Sequence, residues 1–421
     1  MGRDTLPQLR PGPRDEDERR DGDHQACRSD EDEPRILLDC GLSLLIHPDT
    51  SVRRLRRYYA LERPGQNHFG EEHRRMYPLC ARTRPPVTLL GFVQPGFVAH
   101  DVSTPLMGRR LALNHCARLS VMGLRRLGDV HPGRIGVFAG ALSGLPAAVQ
   151  REVVAEMERL GYGTLWYGES TGREAFAQGA IYLSAGSRLV VGSGIANLYA
   201  RDPQAMAAGG RALAEAWPRR FILGIGVSHA PLVTARGHDY VRPLTTMRRY
   251  LEVMGTAVWR GPEAPLPPVV LATLGPRMVA LAAERTAGAY PYFTTTDHVR
   301  AIREQMGPEP FLAADLPVVL AGDRATARAI GDRHTRLYLR MENYRNNLLR
   351  LGWPAPELDS AGSDRLFDAV VAWGDAASIR TRVDAHFAAG ADHVVLNLIP
   401  ADPAKPYVEE LQSLSALTRM G

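Results

Sequence analysis

From Arg134 onward the chain alternates two patterns. Short β-branched runs are followed by longer stretches in which apolar positions recur every three or four residues. The runs are 134–140 (RIGVFAG), 164–169 (TLWYGE), 189–196 (LVVGSGIA), 221–227 (FILGIGV), 269–275 (VVLATLG), 288–293 (GAYPYF), 316–321 (LPVVLA) and 393–399 (HVVLNLI). Continuous apolar runs suit strands buried on both faces. The segments between them, such as 146–160 (PAAVQREVVAEMERL) and 203–217 (PQAMAAGGRALAEAW), have helical spacing. Strands alternating with helices imply parallel pairing through right-handed crossovers. Eight such units predict an α/β fold, a (β/α)8 TIM barrel. Chemistry in this fold gathers on the loops after the C-terminal ends of the strands.

The pattern fails before the barrel. The first 35 residues are almost wholly polar and charged and cannot bury enough apolar surface to fold. Two apolar pieces follow, 36–46 and 87–100, and neither continues into a periodic element. The segment SVRRLRRYYALERP reads as a basic amphipathic helix, a weak sign of a partner. The expected division is an N-terminal extension at 1–121 and the barrel at 122–421. The extension is either a poorly ordered regulatory arm or residues upstream of the natural start, with the natural chain beginning near Val121 or Met122. The second reading is preferred, because MGLRRLGDVHPGRIGVF is an ordinary lead-in to a first barrel strand.

Composition narrows the class. Hydrophobic residues make up 45% and charged residues 23%, as in soluble globular proteins. No run of 18 apolar residues and no secretory h-region is present, so a cytoplasmic protein without a membrane partner is expected. The net charge of +5 does not mark a nucleic-acid surface, since both signs are mixed along the chain. Lys405 is the single lysine among 51 basic residues, a bias that points to a GC-rich genome. Cys27, Cys40, Cys80 and Cys116 all precede the barrel and form no CxxC pair, which argues against a zinc site. No His/Asp/Glu cluster has metal-ligand spacing, so no metal is expected.

Candidate chemistry sits at strand ends. Glu169 is at the tip of the second strand, where Ser170 or Thr171 also suits a helix N-cap, with Glu174 closing a capping box. Gly192 and Gly194 flank Ser193 in the third strand, which suggests a bulge or the close approach of a flat ligand. Asp202 and Pro203 then start a helix as N-cap and N1. In the fourth, Gly224 and Gly226 precede His229, the side-chain type best matched to proton transfer near neutral pH. After the fifth, Gly275 and Pro276 open a helix with Arg277 in its first turn. Arginine opposes the helix dipole there unless an anion neutralises it. Thr294, Thr295 and Thr296 after the sixth strand offer hydroxyls and N–H groups to the same anion, or a cap by Thr296 alone.

The segments LWYGES, VVGSGIANLYARDPQAMA, RRFILGIGVSHAPLV and LATLGPRM, in this order and spacing, resemble the luciferase-like monooxygenase superfamily and within it the coenzyme F420-dependent oxidoreductases. The resemblance spans about 134–400. It implies a barrel of the bacterial luciferase-like type with F420 as cofactor. It also implies a non-prolyl cis peptide at Gly194–Ile195 against which the deazaflavin leans, with Ser193, Gly194, Ile195 and Ala196 as that wall. It assigns Glu169 and Ser170 to the cofactor edge, His229 to proton donation, and Gly275, Pro276, Arg277 and Thr295 to the cofactor phosphate. Several relatives carry a histidine where this chain has Ser170, a departure that puts sugar-phosphate specificity in doubt. The implied reaction is hydride transfer between F420 and a small organic substrate. Two alternatives stay open, an FMN-dependent monooxygenase using reduced flavin and dioxygen, and a non-catalytic F420- or flavin-binding barrel. A homodimer is a compatible assembly.

Overall fold

The computed structural model describes residues 127–419. The extension at 1–121, with its four cysteines, lies outside the described residues. The strands are β1 (Ile135–Phe138), β2 (Thr164–Tyr167), β3 (Val190–Ser193), β4 (Ala196–Asn197), β5 (Phe221–Gly226), β6 (Val269–Ala272), β7 (Gly288–Tyr290), β8 (Phe311–Leu320), β9 (Ala372–Gly374) and β10 (His393–Leu398). All described pairings are parallel, and eight strands close in the order β1-β2-β3-β5-β6-β7-β8-β10, with β10 returning to β1. This is the expected (β/α)8 barrel, and every strand read from the sequence is present.

Inside and outside follow the two-residue period of the strands. In one layer Val137, Leu165, Val191 and Phe221 are in register, and they belong to the apolar cluster packed under the helices. Their neighbours Trp166, Val190 and Ile222 fill the lumen with Val270, Tyr290 and Phe311. Trp166 donates its indole N–H to His393 Nε2 at 3.0 Å, and His393 Nδ1 lies 2.8 Å from the Gly133 carbonyl. Both nitrogens are therefore used, and burial pushes the imidazole pKa down to about 4.

Three features depart from the sequence reading. The third strand is split into β3 and β4 by a cis peptide at Gly194–Ile195, where the resemblance placed one. The seventh strand starts five residues early, at Phe311 rather than Leu316. Asp315 and Pro317 interrupt its apolar pattern, yet Asp315 is wholly buried in mid-strand. After β8 the chain also inserts a small subdomain, formed by α8 (Arg324–Leu339), α9 (Glu342–Arg350), α10 (Asp364–Val370) and β9, around its own apolar cluster.

The other helices are α1 (Ala147–Arg159), α2 (Ala175–Leu183), α3 (Pro203–Ala216), α4 (Ala230–Thr234), α5 (Pro243–Gly255), α6 (Pro276–Arg285), α7 (Thr296–Met306), α11 (Ala376–Ala388) and α12 (Val408–Leu414). Asp202 caps α3 with Pro203 in its first turn, as expected. Two caps are corrected. Glu174, not Ser170 or Thr171, is the N-cap of α2, and it accepts from Ala177 N–H through its own carboxylate. Thr295, not Thr296, caps α7 by accepting from His298 N–H. No described helix is long and apolar enough to cross a membrane.

Candidate active site at the C-terminal mouth

A cavity of about 410 Å³ opens at the C-terminal ends of the barrel strands. That volume falls within the roughly 300–1,000 Å³ common for small-molecule sites. Backbone from four strand ends lines it, at Gly168–Ser170, Gly194–Ile195, Gly226–His229 and Ala272–Gly275. Tyr338, Asn343 and Tyr344 from the inserted subdomain complete the wall. The segments 228–245 and 340–363 both contribute, as their position after a strand end and within the insertion suggests.

Glu169 lines this cavity, but protein groups already use its carboxylate. Oε1 accepts from Ala175 N–H at 3.1 Å, and Oε2 accepts from Asn197 N–H at 2.8 Å. Arg201 adds a two-pronged ion pair, through Nη1 to Oε2 at 3.0 Å and through Nη2 to Oε1. The side chains are 4% and 8% exposed, so little water screens the pair. Glu174 shares the Arg201 guanidinium at 2.8 Å. One carboxylate thus ties the tip of β2, the start of α2 and β4 together.

His229 differs. It is the N-cap residue of α4 and makes no capping bond with its side chain. The ring packs 5.6 Å from that of Tyr344, and Nδ1 is buried without a partner. Burial lowers its pKa, and a hydrogen bond to the Asn343 side chain partly offsets this. The imidazole is therefore neutral at pH 7, with one nitrogen available.

Other expected site residues divide by position. Ser170, Gly194, Ile195 and Gly275 line the cavity, whereas Ser193, Ala196, Pro276, Arg277 and Thr295 stand outside its wall. Ser193 is consumed locally: Oγ donates to the Gly224 carbonyl at 2.8 Å and accepts Gly224 N–H at 2.9 Å. The barrel glycines serve packing first. A Cβ on Gly224 would lie 1.9 Å from the Ser193 carbonyl oxygen, and one on Gly194 2.5 Å from the Tyr290 ring. Arg277 is exposed and makes no ion pair with another described residue. Gly275 leaves its helix start open, with nothing within 4 Å of a built Cβ.

A family profile described as luciferase-like monooxygenase matches residues 127–393. The chain belongs to this family. A Mycobacterium tuberculosis (strain ATCC 25618 / H37Rv) protein, provisionally named coenzyme F420-dependent oxidoreductase Rv3520c, is 27% identical over 241 residues, 47% of this chain and 69% of that protein. Among solved structures, an F420-dependent secondary alcohol dehydrogenase in complex with an F420–acetone adduct superposes with a TM-score of 0.54 at 14% identity, covering 68% of this chain and 98% of that one. The FMN complex of the oxygenating constituent of 3,6-diketocamphane monooxygenase from Pseudomonas putida superposes with a TM-score of 0.53 at 14% identity, covering 69% and 98%. At such identities the two structures share the fold with this family member. The family suggests an enzyme; the relative is named as F420-dependent, one of the two structures is of an F420-dependent dehydrogenase, and the other contains FMN.

Sequence reading missed several groups of this luciferase-like site. Tyr290, Tyr292 and Tyr338 line the cavity, and Asp315 and Asn397 sit behind the tyrosines. His298, pushed by burial to a pKa of about 4, has Nε2 3.0 Å from the Leu274 carbonyl and Nδ1 3.4 Å from Asn347 Nδ2, linking α7 to α9. The one available signal was a lone aspartate inside an otherwise apolar run, AADLPV.

Proposed function

We propose that this protein is an F420-dependent oxidoreductase that transfers a hydride between coenzyme F420 and a small organic substrate. The observation that carries the reading is His229. It is a neutral histidine with an unpartnered Nδ1, in the cavity at the C-terminal end of the barrel strands. The F420-named relative supports this cofactor over FMN.

The residues present fit such a group. Gly168–Ser170 and Gly194–Ile195 on the cavity lining would face the flat ring of the cofactor, with Ser193 and Ala196 beside them in the strand. Gly275 and Arg277 at the open start of α6, with Thr295 at the start of α7, would hold a phosphate through main-chain N–H groups and the guanidinium, and Pro276, which has no N–H, would fix the first turn. When bound, F420 supplies the two-electron hydride chemistry. The protein supplies placement and the balancing proton. His229 Nδ1 gives or takes that proton, and Asn343 holds the ring in place. Glu169 keeps the cavity wall in shape through its bonds to Ala175, Asn197 and Arg201.

Titration of the purified protein with F420 and with FMN, followed by absorbance and fluorescence, tests the reading. F420 should bind at micromolar or better affinity and FMN at least tenfold more weakly, about 1.4 kcal/mol. Equal or tighter FMN binding overturns the F420 assignment. Tight F420 binding without turnover of any alcohol or carbonyl substrate favours a non-catalytic barrel.

A further inference from the structure

Behind the cavity wall lies a polar chain that none of the roles above uses. Asp315 is fully buried in β8, and no described arginine, lysine or histidine pairs with it. One carboxyl oxygen, Oδ2, accepts from Phe293 N–H at 3.4 Å. Phe293 has φ of 53°, a backbone conformation that bulky residues rarely take. The Asn397 side chain also bonds the carboxyl, and its Nδ2 donates to Tyr292 Oη at 2.7 Å. Tyr292 and Tyr338 hydroxyls are 3.0 Å apart. The other carboxyl oxygen of Asp315 has no partner among the described residues. Burial holds this carboxyl well above the usual carboxylate range.

Counting hydrogens shows what this chain presents. The Tyr292–Tyr338 pair has two hydroxyl hydrogens and shares one between its members. The Asn397 bond is received, not given. One O–H therefore remains to donate, and no described residue accepts it. Both tyrosines line the cavity. Tyr290 Oη and Thr273 Oγ1, also on the lining, are buried without partners. A buried polar group without a partner is unfavourable by about 1–3 kcal/mol, so a ligand that meets one gains accordingly. The surrounding surface is aromatic: Tyr292 packs 5.5 Å from Phe138 and 5.0 Å from Tyr338, and Tyr344 lies 5.1 Å from Tyr338. Among the described residues Glu169 is the one carboxylate or guanidinium residue on the lining, and Arg201 neutralises it.

We propose that the Tyr292–Tyr338 hydroxyl pair is a hydrogen-bond donor site for an uncharged oxygen, carbonyl or hydroxyl, on a flat apolar substrate, with Asn397 and Asp315 as positioning residues. The proposal deepens the oxidoreductase reading and rests on it for the word substrate. A fixed donor selects oxygen, the aromatic walls select a flat body, and the lack of an unpaired charge disfavours an ionic ligand. Asp315 acts as the buried acceptor that orients the Asn397 amide.

The test uses the full chain without cofactor, so a failed cofactor titration leaves it readable. Three probes share one ring: acetophenone, ethylbenzene and benzoate. Ligand-observed NMR should show acetophenone binding about fivefold to tenfold tighter than either of the others, the worth of one net hydrogen bond. Tyr292→Phe combined with Tyr338→Phe should reduce that preference to less than twofold, with ethylbenzene affinity unchanged. Asp315→Asn should keep the preference, because an amide oxygen of similar shape can accept the same N–H groups from Phe293 and Asn397, whereas Asp315→Leu should lose it. Wild-type protein showing no preference for the ketone, including no ketone binding at millimolar concentration, overturns the proposal. So does a double tyrosine variant that retains the preference. Loss of the preference in Asp315→Asn with the fold intact by circular dichroism overturns the positioning role.

Discussion

The tips of β2 and β5 carry the two acid–base side chains that the sequence singled out, and the structure equips them in opposite ways. At β2, both oxygens of Glu169 are bonded by Ala175, Asn197 and Arg201. At β5, one nitrogen of His229 is buried without a partner. Both line the same cavity. A side chain whose bonds are all made by its own protein resists change, because each bond lost leaves a buried group unpaired. A side chain with an unmet bond is poised toward a ligand. The comparison separates a brace from the group proposed to react, though each is a titratable residue at a strand end facing the cavity.

The largest expected effect is on the reactive side. His229→Ala should lower turnover by about 10²–10⁴-fold, the usual loss for a general acid or base, with F420 affinity held within a few-fold. Steady-state kinetics beside a cofactor titration separates the two quantities. Normal turnover in this variant would place the proton donor elsewhere and erase the contrast.

Next in size is the brace. Glu169→Ala leaves Arg201 buried with Glu174 as its remaining carboxylate partner. Breaking a buried pair costs roughly 3–5 kcal/mol, and the surviving Glu174 contact puts this case near about 3. Chemical denaturation should register that loss, with turnover per folded molecule falling less than in His229→Ala. A variant as stable as the parent would show that the ion pair does not hold the wall.

The smallest effect sharpens the reactive side. Asn343 bonds His229 and raises its pKa against the lowering caused by burial. Asn343→Ala removes the raising influence, so the His229 titration should move to lower pH. The change in turnover should be about fivefold, the worth of one net hydrogen bond near 1 kcal/mol. NMR titration of the ring or the pH–rate profile reads the shift. A shift to higher pH would mean that Asn343 does not stabilise the charged ring.

How far the site could be read in advance depended on where each partner sits in the chain. Glu169 and His229 were visible because strand ends are visible, and a barrel sends strand ends to its chemistry. Their opposite states were not. Arg201 lies 32 positions from Glu169, and Asn343 is much further along the chain from His229. Asp315 was hidden because a buried aspartate interrupts an apolar run and makes the strand look shorter than it is. Gly192 and Gly194 read as a bulge or as room for a flat ligand. The strand does break at Gly194–Ile195, and Gly194 lines the cavity, while the Trp166 and Tyr290 rings pack closely against these glycines.

By itself the sequence determined the barrel, its strands and the end that bears the cavity, because these follow from a two-residue strand period and a 3.6-residue helix period set by backbone geometry alone. The Asp202–Pro203 helix start was equally local. Only the tertiary structure decided which polar atoms are satisfied and which are left over. Closure of the barrel brings Arg201 to Glu169 and Asn397 to Tyr292, while the inserted subdomain sets Tyr338 beside Tyr292 and Asn343 beside His229. Bond satisfaction and desolvation are properties of an enclosed space, and that space exists only once distant segments have met.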